Sequence, residues 1–86
     1  MPTAYVLINS DLGTDATIIT KIKEILAGKN DAQYEIQGVY GVYDIIIKLS
    51  SASSDVLRSI ITNDIRKINN IQSTLTMTVI EKEEES

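Results

Sequence analysis

The residues best placed to do chemistry in this 86-residue chain are Gly41 and Asp44, in the run Gly41-Val42-Tyr43-Asp44 that leads directly into Ile45-Ile46-Ile47. Glycine presents backbone N–H and C=O groups where a side chain would obstruct. Three residues later, Asp44 puts a carboxylate at the mouth of a strand that otherwise reads as core. A polar turn held by a rigid, buried strand suits the binding of a small ligand. The same two residue types also serve ordinary hairpin turns, so the elements around them decide their weight.

Catalysis has little to build on. The chain contains no His and no Cys, so the usual general base and the thiol nucleophile are missing. Thiolate and imidazole metal sites and disulfides are excluded for the same reason. No serine sits in a nucleophile elbow, no glycine-rich phosphate loop is present, and no two carboxylates have a useful spacing. The chain reads as a binding module without a cofactor, not as an enzyme. A dimeric α+β barrel enzyme is the rival reading, but such barrels usually need a histidine or a roomy aromatic pocket, and Trp and Phe are absent as well.

The elements that must position Gly41 and Asp44 follow from periodicity. Ala4 to Ile8 is continuously apolar and branched, so it reads as a buried strand. Asp11-Leu12-Gly13 breaks it, and Thr14 is the expected N-cap of a helix carrying Ile18, Ile22, Ile25 and Leu26 on one stripe, with Ile19 at its edge and Gly28 as the C′ stop. Ala32 to Gln37 alternates as a half-exposed strand, with Gly38 as a candidate bulge. Asp44 to Leu49 is the second near-continuous apolar strand. Ser53 or Ser54 caps a second amphipathic helix marked by Leu57, Ile60, Ile61, Ile65 and Ile68 and ended near Asn69-Asn70. Arg58, Arg66 and Lys67 lie on or near its polar side and read as solvated charges. Ser73 to Ile80 is the final strand, with Leu75, Met77 and Val79 alternating against Thr74, Thr76 and Thr78.

The order strand-helix-strand, strand-helix-strand with right-handed crossovers predicts an α+β fold. Its four-stranded antiparallel sheet carries both helices on one face, with the first and third strands central. Those two strands are the ones apolar on both faces. Tyr5 and Leu7 point away from Ala4, Val6 and Ile8, and Ile46 points away from Ile45 and Ile47. Two helices cover only one side of a sheet, and each large side chain left on the other forfeits roughly 1.5–3 kcal/mol. A second copy packed face to face is the simplest cover, and self-association suits a chain too small for a large core.

The net charge is −4 and the pI about 4.6. An acidic surface repels phosphate backbones and disfavours direct DNA or RNA binding. No stretch is long enough for a membrane-spanning helix and no signal peptide is recognisable, which makes the cytoplasm the expected compartment. Residues 1–82 read as one domain and 83–86 as an acidic tail.

Tyr5-Val6-Leu7-Ile8, Tyr40-Gly41-Val42-Tyr43-Asp44 and Ile71-Gln72-Ser73-Thr74-Leu75-Thr76-Met77-Thr78-Val79-Ile80 together resemble the RAM effector domain (regulation of amino acid metabolism) of the Lrp/AsnC transcriptional regulators. The resemblance runs from about Ala4 to Glu81. It implies a ferredoxin-like βαββαβ fold of the dimeric α+β barrel type, dimers with facing sheets, and rings of dimers. It further implies that free amino acids bind where neighbouring dimers meet. Carried over by motif, Tyr40, Gly41 and Asp44 would form one wall of that cleft, and Thr74 and Thr76 of a neighbouring subunit the other. The Asp44 carboxylate would orient the turn or accept from the ligand's ammonium. The orienting role is favoured, since Asx side chains commonly bond local backbone. With the first strand beginning at about residue 4, no DNA-reading helix-turn-helix is expected before it. The implied role is indirect modulation of transcription of amino acid metabolism genes, with a full-length regulator as partner. The alternative is a ligand-free oligomerisation partner of such regulators.

Overall fold

A computed structural model describes residues 2–80; the acidic tail read at 83–86 lies outside the described residues. Strand β1 (Thr3–Ser10) is followed by helix α1 (Asp15–Ala27), β2 (Ala32–Gly38), β3 (Ile45–Ser51), a second helical segment that opens as α2 (Ser54–Ser59), and β4 (Ile71–Thr78). The strands form one antiparallel sheet in the order β2-β3-β1-β4, so the two apolar strands are central, as their double-sided pattern requires. This is the ferredoxin-like α+β fold.

Register assigns every side chain to a face. Val6 pairs with Ile47, and Ile47 with Ile36 on its other side. Ala4, Val6, Ile8, Ile45, Ile47 and Leu49 are buried beneath Ile18, Ile22 and Leu26 of α1 and Leu57, Ile60 and Ile65 of the second helical segment. Tyr34 and Ile36 of β2 pack against the rim of this core. On the opposite face Leu7 lies beside Ile46 and Leu75, and Tyr5 beside Met77. Tyr5, Leu7 and Ile46 are half-buried there, while Leu75 and Met77 are 45% and 47% exposed.

Several local features depart from the sequence reading, each for a physical reason. The second helix is not one α-helix. After α2, residues Ile60–Asp64 form a π-helical turn closed by the Ile65 N–H donating to the Ile60 carbonyl, and Ile65–Lys67 form a 3₁₀ turn. A regular α-helix would aim Asp64, not Ile65, at the core, because residue 64 is four beyond Ile60 and seven beyond Leu57. The wider turn brings Ile65 inward to 1% exposure. Asp64 is left at the flank, where its carboxylate lies 3.1 Å from the Lys29 ammonium. Asn70 then takes a φ of 73°, a left-handed conformation that Asn tolerates.

Thr14 precedes α1, but its hydroxyl donates back to the Asp11 carbonyl at 2.7 Å and caps no helical N–H. Gly28 ends α1 with φ −85°, so the stop is an ordinary tightened turn and not a left-handed cap. Ser53 is the cap of α2, its hydroxyl accepting from the Val56 N–H at 3.3 Å. Gly38 pairs in register with Ile45, and the irregularity lies instead at Asn9/Ser10 against β4. The first and last strands in chain order have other bounds than the apolar runs alone suggest: β1 runs on to Ser10, and β4 spans Ile71–Thr78 instead of reaching Ile80.

Candidate functional site

The connection between β2 and β3 is a closed loop. The Val39 N–H donates to the Asp44 carbonyl at 2.8 Å, and the Asp44 N–H donates to the Ile8 carbonyl at 2.9 Å. The Asp44 carboxylate accepts twice from the end of β1, through Oδ2, from the Ser10 N–H at 2.9 Å and the Ser10 hydroxyl at 3.2 Å. Asp44 therefore ties the loop to the end of β1. Its partner is a residue 34 positions away, not the local backbone of the turn.

Gly41 sits at φ +148°, where L side chains are rarely found. A Cβ built there meets nothing within 4 Å. Glycine is needed for its backbone conformation and not, within this chain, for space. The tip around it is exposed and apolar: Tyr40 is 105% exposed and Val42 84%. Tyr40 thus packs on nothing in its own chain, unlike Tyr34. Leu12, in the connection after β1, is also fully exposed.

Thr74 and Thr76 stand elsewhere. They pair with Ile8 and Val6 and so lie on the helix-bearing side of β4, two strands across from β3, roughly 10 Å in the hydrogen-bonding direction. Thr74 is half-buried and Thr76 exposed. One chain therefore brings together Tyr40, Gly41 and Asp44, but not the two threonines.

Two residues sequence reasoning passed over bear on the site. Ser10 anchors Asp44, and no local pattern signals a contact across 34 positions. Asp11 donates its N–H to the Asn70 carbonyl at 2.8 Å and so ties the loop after β1 to the turn before β4. A groove of about 520 Å³, to which the Gly41 loop contributes no residue, lies between α1 and residues 64–70, with Lys21, Glu24, Asp64 and Lys67 on its walls. No group of His, Cys, Asp and Glu among the described residues is arranged to hold a metal ion. No helix of the described residues is long and apolar enough to cross a membrane.

The sheet order and the single helical layer on one face define a ferredoxin-like domain, and its fold is Lrp/AsnC-like. No protein-family model and no curated protein matches the sequence. Among solved structures the chain is similar to FFRP-DM1, with a TM-score of 0.74 and 34% identity over 93% of this chain and 100% of that one. It is similar to the hypothetical protein PHS023 from Pyrococcus horikoshii, with a TM-score of 0.74 and 32% identity over 96% and 94% of the two chains. Against AsnC of E. coli the TM-score is 0.71 and the identity 26%, over 99% of this chain but only 54% of AsnC. The chain belongs to the family of FFRP-DM1.

Proposed function

We propose that the chain is an amino-acid-binding oligomerisation module that modulates transcription without touching DNA itself. The observation that carries this reading is the exposed Tyr40-Gly41-Val42 tip, held rigid by the Asp44–Ser10 contacts. A free amino acid presents an ammonium and a carboxylate about one backbone unit apart. Backbone groups at a glycine, with no Cβ between them and the ligand, match that short span. Thr74 and Thr76 of a neighbouring subunit supply hydroxyls that donate or accept. Because one chain does not bring the two halves together, ligand binding and assembly are linked. The half-buried open face of the sheet supports a dimer as the unit of that assembly, and rings of dimers bring the threonines to the turn.

A thermal-shift screen against the twenty amino acids tests the reading. One or a few chemically related amino acids raise the melting temperature by mass action. A flat response across all twenty leaves an oligomerisation partner that holds no ligand, and the binding claim is lost. The acidic charge leads to a second expected outcome: at physiological salt the purified chain does not shift duplex DNA. Both helical segments also spend their apolar faces on the sheet, through Ile18, Ile22, Leu26, Leu57, Ile60 and Ile65. Specific nanomolar binding in a gel-shift assay would overturn the indirect role.

A further inference from the structure

The geometry points to a small-anion site between the second helical segment and the edge of β4, separate from the Gly41 loop. A cleft of about 260 Å³ lies there, floored by Leu57 and Ile61 and flanked by Arg58, Arg66, Thr78 and Thr76, the last shared with the proposed amino-acid site. No acidic residue lines it, in a chain with 12 carboxylates against 8 basic side chains. Arginine is the side chain best matched to oxyanions, because its planar fork of N–H groups meets two oxygens at once.

The backbone explains how Arg58 and Arg66 come to line one cleft. Residues eight apart on a straight α-helix diverge by about 80° around the axis. The π-helical turn at Ile60–Asp64 holds more residues per turn and delays the winding, so Arg66 comes round toward the face that carries Arg58. π-turns recur at functional sites for this kind of re-aiming. The same irregularity that buries Ile65 therefore assembles the cationic wall.

The polar groups of the cleft are also uncommitted. Among the described residues neither guanidinium has an ion-pair partner, and the Thr76 and Thr78 hydroxyls make no hydrogen bond. Thr62 is different, since its hydroxyl already donates to the Arg58 carbonyl at 2.8 Å. The larger groove beside α1 carries charges of both signs and makes no such selection. Volume and donor set together fit a compact dianion, either a phosphate group or a short dicarboxylate.

The test is titration of the 86-residue chain with inorganic phosphate and, separately, with succinate, followed by calorimetry and amide chemical shifts. Saturable binding is expected, with shifts concentrated at Arg58, Arg66, Thr76 and Thr78. The tighter of the two anions identifies the ligand class. Arg66→Gln weakens binding about ten-fold, as loss of a charge-assisted hydrogen bond does. Lys23→Gln, an equal charge change at an exposed position outside the cleft, leaves it unchanged. Absence of saturation up to about 10 mM anion, or an equal loss in Lys23→Gln, overturns the site. Gly41→Val retains anion binding and Arg66→Gln retains any amino-acid-dependent thermal shift. Failure here and failure of the proposed amino-acid site are thus read separately.

Discussion

Replacing Ile46 with aspartate releases folded monomers of 9.5 kDa, whereas replacing its neighbour Ile47 with aspartate unfolds the chain. The two residues are adjacent in β3 but point to opposite faces. Ile47 is fully buried between Val6 and Ile36 on the helix-covered side. A carboxylate there loses roughly 1.5–3 kcal/mol of apolar burial and adds several kcal/mol of desolvation. A domain of this length has only about 4–13 kcal/mol to lose, so Ile47→Asp does not hold a native core. Ile46 lies on the open face beside Leu7, next to Gln37 of β2. Its replacement leaves the core intact and places a charge in the centre of the surface proposed to meet a second copy.

Light scattering together with far-ultraviolet circular dichroism separates the two outcomes. Wild type is a dimer or a multiple of one at micromolar concentration, Ile46→Asp is monomeric with native dichroism, and Ile47→Asp has lost its dichroism. A wild-type chain that scatters as a folded monomer removes the face-to-face dimer and, with it, the linkage of ligand binding to assembly. An Ile46→Asp variant that stays assembled moves the interface to another surface, of which the exposed tip at Tyr40 and Val42 is the next apolar one.

Much of this fold is legible in the sequence because strand patterns carry their own geometry. A period of two assigns Val6 and Leu7 to opposite faces before any partner is known, and apolarity on both faces marks β1 and β3 as central. The helical template is less forgiving. It assumes a constant 3.6-residue turn, so Leu57, Ile60, Ile61, Ile65 and Ile68 read as one helix. The step of five from Ile60 to Ile65 was the visible sign that the turn widens. Arg58 and Arg66 were obscured by the same assumption, since a straight helix would separate them. Contacts between distant residues leave no periodic trace at all: the Ser10–Asp44 pair depends on β1 and β3 lying side by side in the finished sheet. Gly41 and Asp44 were recognisable as a turn, but what holds the turn was not.

The sharper test of that turn is Gly41→Val, which abolishes amino-acid binding while leaving the domain folded. Valine is strained at φ +148°, and a residue held in so sparsely populated a region costs of order 1–3 kcal/mol. The chain has room for the side chain, so no core contact is lost, and the melting temperature falls by about 4–8 °C per kcal/mol. The loop relieves the strain by rotating the peptides at its tip. Val39 and Asp44 remain hydrogen-bonded at its base, and Ser10 still holds the carboxylate. The backbone groups that would face the ligand are thereby re-aimed, and the new branched side chain occupies the approach from outside. Thr76→Val, on the neighbouring subunit's wall, weakens binding by roughly 1–3 kcal/mol through a lost or unpaired hydrogen bond. Asp44→Asn separates the two roles of the carboxylate. Its amide oxygen still accepts from the Ser10 N–H, so binding survives if Asp44 only orients the loop and is lost if its charge meets the ammonium. Calorimetry on the three variants at matched oligomeric state decides between these readings. If Gly41→Val and Thr76→Val both bind the cognate amino acid as wild type does, the turn is purely structural and the site lies elsewhere.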